Sequence, residues 1–174
     1  MSGSFSTTDS ERLATWIRDH GRAVRAYLWA MVRQDAVADD LVQEVFYRAW
    51  RGRHRYCEAG SARAYLMRIA DRLVVDRSRR HKREVCLDDD QWQCLHSDRG
   101  AEPLEQAARA ESHRLLADAL EELSEAQRRV LLLRYYGDMT FAEIARTMNC
   151  PLGTVLSHCR RGLLALRKRL VEVA

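Results

Sequence analysis

Apolar residues recur along most of the chain at intervals of three, four and seven, which is the pattern of amphipathic α-helices. In the N-terminal half this spacing predicts helices over residues 10–33, 35–50 and 62–83, with a loop at 52–61. The expected core stripe of the first helix is Leu13, Ile17, Val24, Leu28 and Met31. The strict alternation of a half-buried β-strand does not persist anywhere, so the sequence predicts an all-α fold.

Two capping boxes predict helix starts in the C-terminal part of the chain. Ser124 is followed three residues later by Gln127, and Thr140 is followed three residues later by Glu143. In each pair the hydroxyl can accept a bond from a backbone N–H while the second side chain binds the backbone N–H of the first residue. The helix that starts at Ser124 is expected to end near Gly137.

A short helix, a tight turn at residues 149–151 and a long last helix to about Val171 together predict a helix-turn-helix. Asn149 tolerates the left-handed conformation that ends a helix, and Pro151 suits the first turn of the next one. In such a motif the N-terminal residues of the second helix reach base edges in the major groove. The residues expected to be exposed there are Leu152, Thr154, Leu156, Ser157, Arg160 and Arg161, while Val155 and Cys159 are predicted to face the core with Ile144 and Met148.

Side-chain chemistry on this last helix suits DNA. Arg160 and Arg161 can contact guanine or phosphate, and Leu156 can contact a thymine methyl group. A plain helical hairpin with a solvated basic face is the alternative interpretation.

Charge is distributed unevenly along the chain. Residues 1–85 hold 17 Lys or Arg against 11 Asp or Glu, whereas residues 86–110 hold 2 against 6. Residues 86–108 also lack a helical stripe and contain Gly100 and Pro103. These features predict two small helical domains, 1–85 and 109–174, joined by a flexible acidic linker at 86–108. Only Lys82 and Lys168 among the 29 basic residues are lysine, and arginine is the better ligand for phosphate and base edges.

The third predicted helix carries a basic face, with Arg68, Arg72, Arg79 and Arg83 on the side opposite Leu66, Ala70 and Leu73. So dense a stripe repels itself unless phosphates neutralise it. Tyr65, Trp50 and Tyr56 lie nearby in sequence and could stack on an unpaired base. A solvated helix face with aromatic residues in the core is the alternative.

The second predicted helix alternates an apolar face with an acidic one that suits docking on a basic protein surface. The polar side is Asp39, Asp40, Gln43 and Glu44. Taken alone, such a side is more often a solvated helix face.

Several classes of protein are disfavoured by composition. The longest aliphatic run, residues 130–133, is far shorter than the ~20 residues that span a bilayer. The first ten residues lack the charged start and apolar core of a secretory signal, so the sequence predicts a cytoplasmic protein. The five cysteines, which form no C-x-x-C pair, are expected to be reduced thiols, and any redox or metal role for them stays open: Cys57, Cys86, Cys94, Cys150 and Cys159.

A metal site at Cys86, Cys94 and His96 is conceivable, but structural zinc ligands usually come in tighter pairs. A metal-dependent hydrolase that uses Asp88–Asp90 and His96 is a further alternative. It lacks a paired helical ligand pattern such as two histidines four residues apart. We therefore expect no catalytic residues, no metal and no cofactor.

At this point the sequence resembles a known family. The run Asp40-Leu41-Val42-Gln43-Glu44-Val45-Phe46-x-x-Ala49-Trp50, followed by Ala64-Tyr65-Leu66-x-Arg68-Ile69-Ala70, resembles region 2 of the extracytoplasmic-function (ECF) sigma factors of bacterial RNA polymerase. The runs Phe141-x-Glu143-Ile144-Ala145 and Pro151-x-Gly153-Thr154-Val155-x-Ser157 resemble their region 4. The resemblance covers roughly residues 20–170.

The resemblance implies a function in which the chain binds core RNA polymerase and directs promoter-specific transcription initiation. The residues that would dock on the β′ clamp helices are Asp39, Asp40, Leu41, Gln43, Glu44 and Phe46. Those that would open and read the −10 element are Tyr65, Arg68, Arg72, Asp76, Arg79, Arg80 and Arg83, with a flipped base held by the 52–61 loop. Those that would read the −35 element are Thr154, Leu156, Ser157, Arg160 and Arg161.

The resemblance also implies partners: the β flap of the polymerase, promoter DNA, and an anti-sigma factor that is often linked to the membrane. Four positions depart from the family pattern, one of them Asn149, which replaces a glycine before the turn proline and which the left-handed turn can accept. Arg72 stands where Asn is common, which favours phosphate contact over base readout, and neither Leu156 nor His158 is the usual Lys or Arg. A free-standing helix-turn-helix regulator and a polymerase-binding decoy that no longer melts DNA remain alternatives.

Overall fold

The computed structural model describes residues 7–56, 61–85 and 114–173, with only the backbone described at residues 7, 8, 55, 82–85, 172 and 173. Throughout these ranges the regular structure is helical, as the sequence predicted, and no strand occurs in them. The chain divides into two compact units: the helices between residues 7 and 85 belong to the first, and the helices between residues 114 and 173 belong to the second. Within the described ranges no helix is both long and apolar enough to cross a membrane.

The first unit is a bundle of three helices, α1 (Thr7–Val32), α2 (Asp35–Arg51) and α3 (Ala62–Val85), with a short 3-10 helix at Arg53–Arg55. The tight turn between α1 and α2 is made at Arg33, whose φ is 55° and whose guanidinium lies 4.3 Å from the Trp29 ring. Each helix contributes fully buried apolar side chains to one core, among them Val24, Leu28, Val45, Leu66 and Met67. The three predicted helices are therefore confirmed to within three residues at each end.

One prediction about the α1 core is wrong. Ile17 is 48% exposed, whereas its neighbour Trp16 is only 6% exposed. The indole packs at 5.0 Å from the Tyr56 ring and 5.9 Å from the Tyr65 ring, measured between centroids. The larger aromatic side chain, with partners available on two other elements, displaces the aliphatic one from the core.

The second unit consists of α4 over residues 114–121, α5 (Glu125–Tyr135), α6 (Phe141–Met148) and α7 (Leu152–Val173). All four residues of the aliphatic run at 130–133 are buried, so α5 is enclosed on every side along this turn. Helix α7 packs closely on α5 at Gly162, where a Cβ atom would lie 3.0 Å from Cδ1 of Leu131. The missing side chain lets the two helices approach.

Both predicted capping boxes are present. The Gln127 backbone N–H donates to Ser124 Oγ at 3.3 Å, and the Ser124 backbone N–H donates to Gln127 Oε1 at 3.2 Å. At α6 the Glu143 backbone N–H donates to Thr140 Oγ1 at 3.2 Å, and the Thr140 backbone N–H donates to Glu143 Oε2 at 2.8 Å. The start of each helix is thus fixed by its own sequence.

Candidate nucleic-acid interface

The turn between α6 and α7 sets the direction in which α7 leaves the bundle. Asn149 adopts the left-handed conformation predicted from the sequence, with φ 51° and ψ 50°. The Cys150 backbone N–H then donates to the Ala145 carbonyl at 3.1 Å, which closes the end of α6. Pro151 precedes α7 instead of lying in its first turn, and its carbonyl accepts bonds from the N–H groups of Thr154 and Val155 at 3.0 and 3.2 Å. The geometry is that of a helix-turn-helix.

Helix α7 has a buried face and an exposed face. Val155 is fully buried and Cys159 is 7% exposed, as predicted. Burial raises the pKa of the Cys159 thiol above its ordinary value, although Arg134 partly opposes the shift. On the other side the six residues predicted to be exposed are all exposed: Leu152, Thr154, Leu156, Ser157, Arg160 and Arg161.

The two arginines of this exposed face differ in their local contacts. Arg161 Nε donates to the carbonyl of Ser157, one turn earlier in the same helix, at 3.3 Å. Arg160 makes no such bond within the described part of the chain, and its side chain is exposed. His158, which stands where the family commonly has Lys or Arg, is half-buried.

The basic face predicted on α3 is exposed over most of its length. Arg72, Asp76, Arg79 and Arg80 are exposed, while Arg68 is half-buried. Arg80 Nε lies 3.4 Å from the backbone carbonyl of Asp76. The side chain of Arg83, which the sequence placed on the same face, lies outside the described residues.

The aromatic residues beside this face pack on one another. The Tyr56 and Tyr65 rings lie 5.0 Å apart between centroids, and both contact Trp16. Both tyrosines are half-buried, and burial raises the pKa of Tyr65 above its ordinary value. Trp50, the third aromatic residue suggested as a stacking platform, instead packs under the guanidinium of Arg53 at 4.2 Å.

The acidic face of α2 is divided between internal ion pairs and exposed groups. Arg25 donates through Nε to Asp39 and through Nη2 to Asp35, both at 2.7 Å. Arg48 Nε donates to Glu44 Oε1 at 2.6 Å, one turn away on the same helix. Asp40 and Gln43 are exposed.

Comparison with known proteins places these elements in one family. Residues 16–84 match the family model for Sigma-70 region 2, and residues 113–166 match the model for Sigma-70, region 4. The chain is also 30% identical over 149 residues to the ECF RNA polymerase sigma factor SigM of Bacillus subtilis, covering 84% of this chain and 89% of that protein. The chain belongs to the ECF sigma factor family.

One further ECF sigma factor is similar to the chain in sequence, and two solved structures are similar to it in fold. The ECF RNA polymerase sigma factor SigK of Mycobacterium tuberculosis is 29% identical over 156 residues, covering 86% of this chain and 81% of SigK. The sigma factor RpoE of Bartonella quintana, solved in complex with the anti-sigma factor NepR, is 22% identical with a TM-score of 0.77. That match covers 92% of this chain and 97% of RpoE. CnrH, solved with the cytosolic domain of CnrY, is 22% identical with a TM-score of 0.66, and the match covers 95% of this chain and 91% of CnrH.

The structure corrects one expectation about the docking residues of this ECF sigma factor. Phe46 is only 7% exposed and packs in the first unit's core, because it lies on the same side of α2 as Ala38 and Ala49. Leu41 is half-buried. Because Phe46 is buried in the core, it is not placed to contact a partner that binds the exposed face of α2.

Two residues are absent from the site residues named from the sequence, although the structure gives each a distinct environment. Tyr47 is 55% exposed on α2, at 5.8 Å from the guanidinium of Arg51, four residues after Gln43 and seven after Asp40. That spacing places Tyr47 on the polar side of the helix, so helical periodicity could have identified it as a candidate docking residue. Asp71 is 1% exposed and accepts a bond from the Tyr27 hydroxyl, a contact that no local pattern could reveal.

No group of three His, Cys, Asp or Glu that could hold a metal ion occurs within residues 7–56, 61–85 and 114–173. The candidate metal ligands named from the sequence, Cys86, Cys94, His96 and Asp88–Asp90, lie outside the described residues, as does Cys57.

Proposed function

We propose that this ECF sigma factor binds core RNA polymerase and directs initiation at promoters whose −35 element is read by α7 and whose −10 element is read and melted by α3. In this proposal residues 1–85 form the region 2 domain, residues 86–108 the linker and residues 109–174 the region 4 domain. The polymerase holds both domains at a fixed spacing, so that two weak DNA contacts act together through a high effective concentration. The role is one of binding, without covalent chemistry.

The single observation that carries the proposal is the exposed face of α7. A helix whose start is fixed by the turn at Asn149 and whose opposite face is anchored by Val155 presents hydroxyl, apolar and arginine side chains together. These are the groups that read base edges in the major groove. The same arrangement recurs in helix-turn-helix recognition helices.

Region 2 supplies the −10 contacts in this proposal. The exposed residues of α3 supply charge for the phosphates, and Arg72 contributes a phosphate contact rather than a base contact. Tyr65 and Arg68 lie half-buried at the start of this face, next to the aromatic cluster of Trp16 and Tyr56. The free-energy cost of unpairing the DNA is offset when exposed bases stack on aromatic rings and enter a protein pocket.

Docking on the β′ clamp helices uses the exposed face of α2. Asp40 and Gln43 lie on this face, and the exposed ring of Tyr47 stands beside them. Aromatic residues surrounded by polar groups are common at the centre of protein interfaces. Asp39 and Glu44 contribute to this face through their ion pairs with Arg25 and Arg48. In the same proposal the region 4 domain contacts the β flap of the polymerase.

We further propose that an anti-sigma factor controls this chain. The observation in support is that a structural relative, RpoE, was solved in complex with the anti-sigma factor NepR. A protein of this kind would cover the exposed faces of α2 and α7 and so prevent polymerase and DNA binding. The same proposal includes that this anti-sigma factor is anchored in the membrane.

Run-off transcription by core RNA polymerase on a promoter library, with and without the chain, tests the proposed function. The expected result is a set of transcripts that depends on the chain and shares two sequence elements at fixed spacing. If the purified chain alone bound a palindromic duplex selectively and never altered transcription by the core enzyme, a free-standing regulator would replace this proposal.

A further inference from the structure

Two leucines stand exposed at the N-terminal end of α7. Leu152 is 47% exposed and Leu156 is 45% exposed, although the core face of the same helix buries Val155 completely. Beside Leu156 on the exposed side lie two polar residues, Ser157 and Arg160. The two leucines lie at the edge of the surface that the proposed function assigns to DNA, where contact with an apolar group of the DNA would remove them from water favourably.

We propose that Leu152 and Leu156 contact the C5-methyl groups of two thymines in the −35 element, and that this ECF sigma factor selects A·T pairs there through apolar contact. The inference rests on the proposed function and deepens it, because it names what part of the −35 element α7 reads. The thymine methyl is the one apolar group that the four bases present in the major groove.

Helix geometry makes the pair suitable for neighbouring base pairs. Residues four apart lie on the same side of a helix with Cβ atoms about 5–6 Å apart. Successive base pairs rise about 3.4 Å along the DNA axis, so two such side chains span one or two steps. The bonds from the Thr154 and Val155 N–H groups to the Pro151 carbonyl hold the first turn, which carries Leu152, in helical form.

The alternatives at these base pairs are disfavoured by chemistry. A leucine against guanine O6 or cytosine N4 would remove a polar group from water without a hydrogen bond, which is unfavourable. Arg160 continues the row four residues after Leu156, turned by about 40°. The arginine can donate two bonds to guanine, so the expected −35 element carries an A·T step next to a G·C pair.

Replacement of thymine by deoxyuridine tests the inference, because it removes only the methyl group. The holoenzyme made from core polymerase and the full chain is bound to a promoter selected in the transcription experiment, with each −35 thymine replaced in turn. We expect two of the replacements to weaken binding by about fourfold each, the effect of removing one buried methyl group. Affinity is measured by fluorescence anisotropy at constant salt.

Variants of the protein assign each methyl to its leucine. In each of the variants Leu152→Ala and Leu156→Ala, the ratio of thymine to deoxyuridine affinity is expected to fall to about one at a single thymine position, and that position differs between the two variants. Both side chains are exposed, so neither change opens a cavity. Leu164→Ala is the matched control, because Leu164 is 56% exposed on the same helix but about 12 Å further along its axis, and the ratio is expected to stay unchanged.

Each outcome separates this inference from the proposed function. Promoter binding that is chain-dependent but indifferent to deoxyuridine at every position overturns the inference and leaves the proposed function standing. A methyl effect that persists unchanged in both alanine variants also overturns it. Absence of any chain-dependent promoter binding overturns the proposed function itself.

Discussion

The hydroxyl group of Tyr27 on α1 donates a 2.7 Å hydrogen bond to a carboxylate oxygen of Asp71 on α3. Both side chains are buried, with Tyr27 fully buried and Asp71 1% exposed. A buried carboxylate needs such a donor, so the bond favours one rotation of α3 against α1. Arg72 follows Asp71 in sequence and lies on the exposed face. The buried pair therefore helps to present the basic face of α3.

Tyr27→Phe removes this donor. Because it leaves the buried Asp71 carboxylate short of a hydrogen bond, we expect the first unit to lose roughly 1–3 kcal/mol of its free energy of unfolding. Hydrogen exchange of α1 and α3 amides under increasing urea measures the loss. Tyr47→Phe, on an exposed side chain, is the control and should change stability by less than about 0.5 kcal/mol. Equal protection in Tyr27→Phe and the parent would show that the bond contributes nothing.

Asp40→Ala is expected to weaken the affinity for core polymerase without changing stability. Its carboxylate is exposed, whereas Asp39 is held by Arg25 within the first unit. An exposed ion pair with a basic partner contributes up to about 1 kcal/mol, or roughly fivefold in Kd. Competition binding to core polymerase measures the effect, and Asp19→Ala on α1 is the control. A loss as large in Asp19→Ala would show that the effect is general charge attraction.

Gly153→Ala is expected to have opposite effects on stability and on DNA binding. A Cβ atom at Gly153 would meet nothing within 4 Å in the protein, and the backbone there is helical. Alanine is more favourable than glycine by roughly 0.5–1 kcal/mol in a helix interior, so at Gly153, in the first turn of α7, thermal stability should rise by less than this amount. Promoter affinity should fall because the methyl group meets the DNA. Unchanged promoter affinity would show that the DNA does not approach this position.

Arg160→Ala is expected to weaken promoter binding by roughly 1–3 kcal/mol and to relax specificity at one base pair, as for a base-edge contact. Arg161 Nε donates to the Ser157 carbonyl of its own helix, and we expect this arginine to contact a DNA phosphate. Arg161→Ala should therefore weaken binding to all promoter sequences equally and reduce the salt dependence of promoter affinity. Binding of holoenzyme to single-substitution promoters distinguishes the two. Arg167→Ala, further along α7, is the control. The assignment fails if Arg160→Ala leaves promoter preference intact.

Cys159 is expected to react slowly with alkylating reagents at neutral pH, because burial raises its pKa and keeps the thiol protonated. The raised pKa also means that the folded state holds this proton more tightly than the unfolded state. The contribution of this protonated thiol to the free energy of unfolding is therefore fully present below the ordinary thiol pKa and declines as the pH rises above it. Mass spectrometry after timed iodoacetamide treatment should find half-buried Cys150 modified before Cys159, and both modified at similar rates in urea.

Local features of the fold could be predicted from the sequence. The capping boxes at Ser124 and Thr140 and the left-handed Asn149 depend on neighbouring residues, so short patterns identified them. The exposed face of α7 followed from the positions of Val155 and Cys159, because helical periodicity places the opposite side in water.

Features that depend on contacts between distant residues could not be predicted. The aromatic cluster that buries Trp16 in place of Ile17 requires Tyr56 and Tyr65, some 40 residues or more away in sequence. The pair of Tyr27 and Asp71 is separated by 44 residues. Phe46 was assigned to a docking face from the family resemblance alone, while its burial depends on the packing of α2 in the bundle.

The spacing between the two promoter elements tests the central claim most directly. The claim is that core polymerase holds α3 and α7 so that they read two elements at once. We expect insertion of about five base pairs, half a helical turn, between the elements of a selected promoter to abolish the chain-dependent run-off transcript. A transcript of undiminished yield from the lengthened promoter would contradict the account.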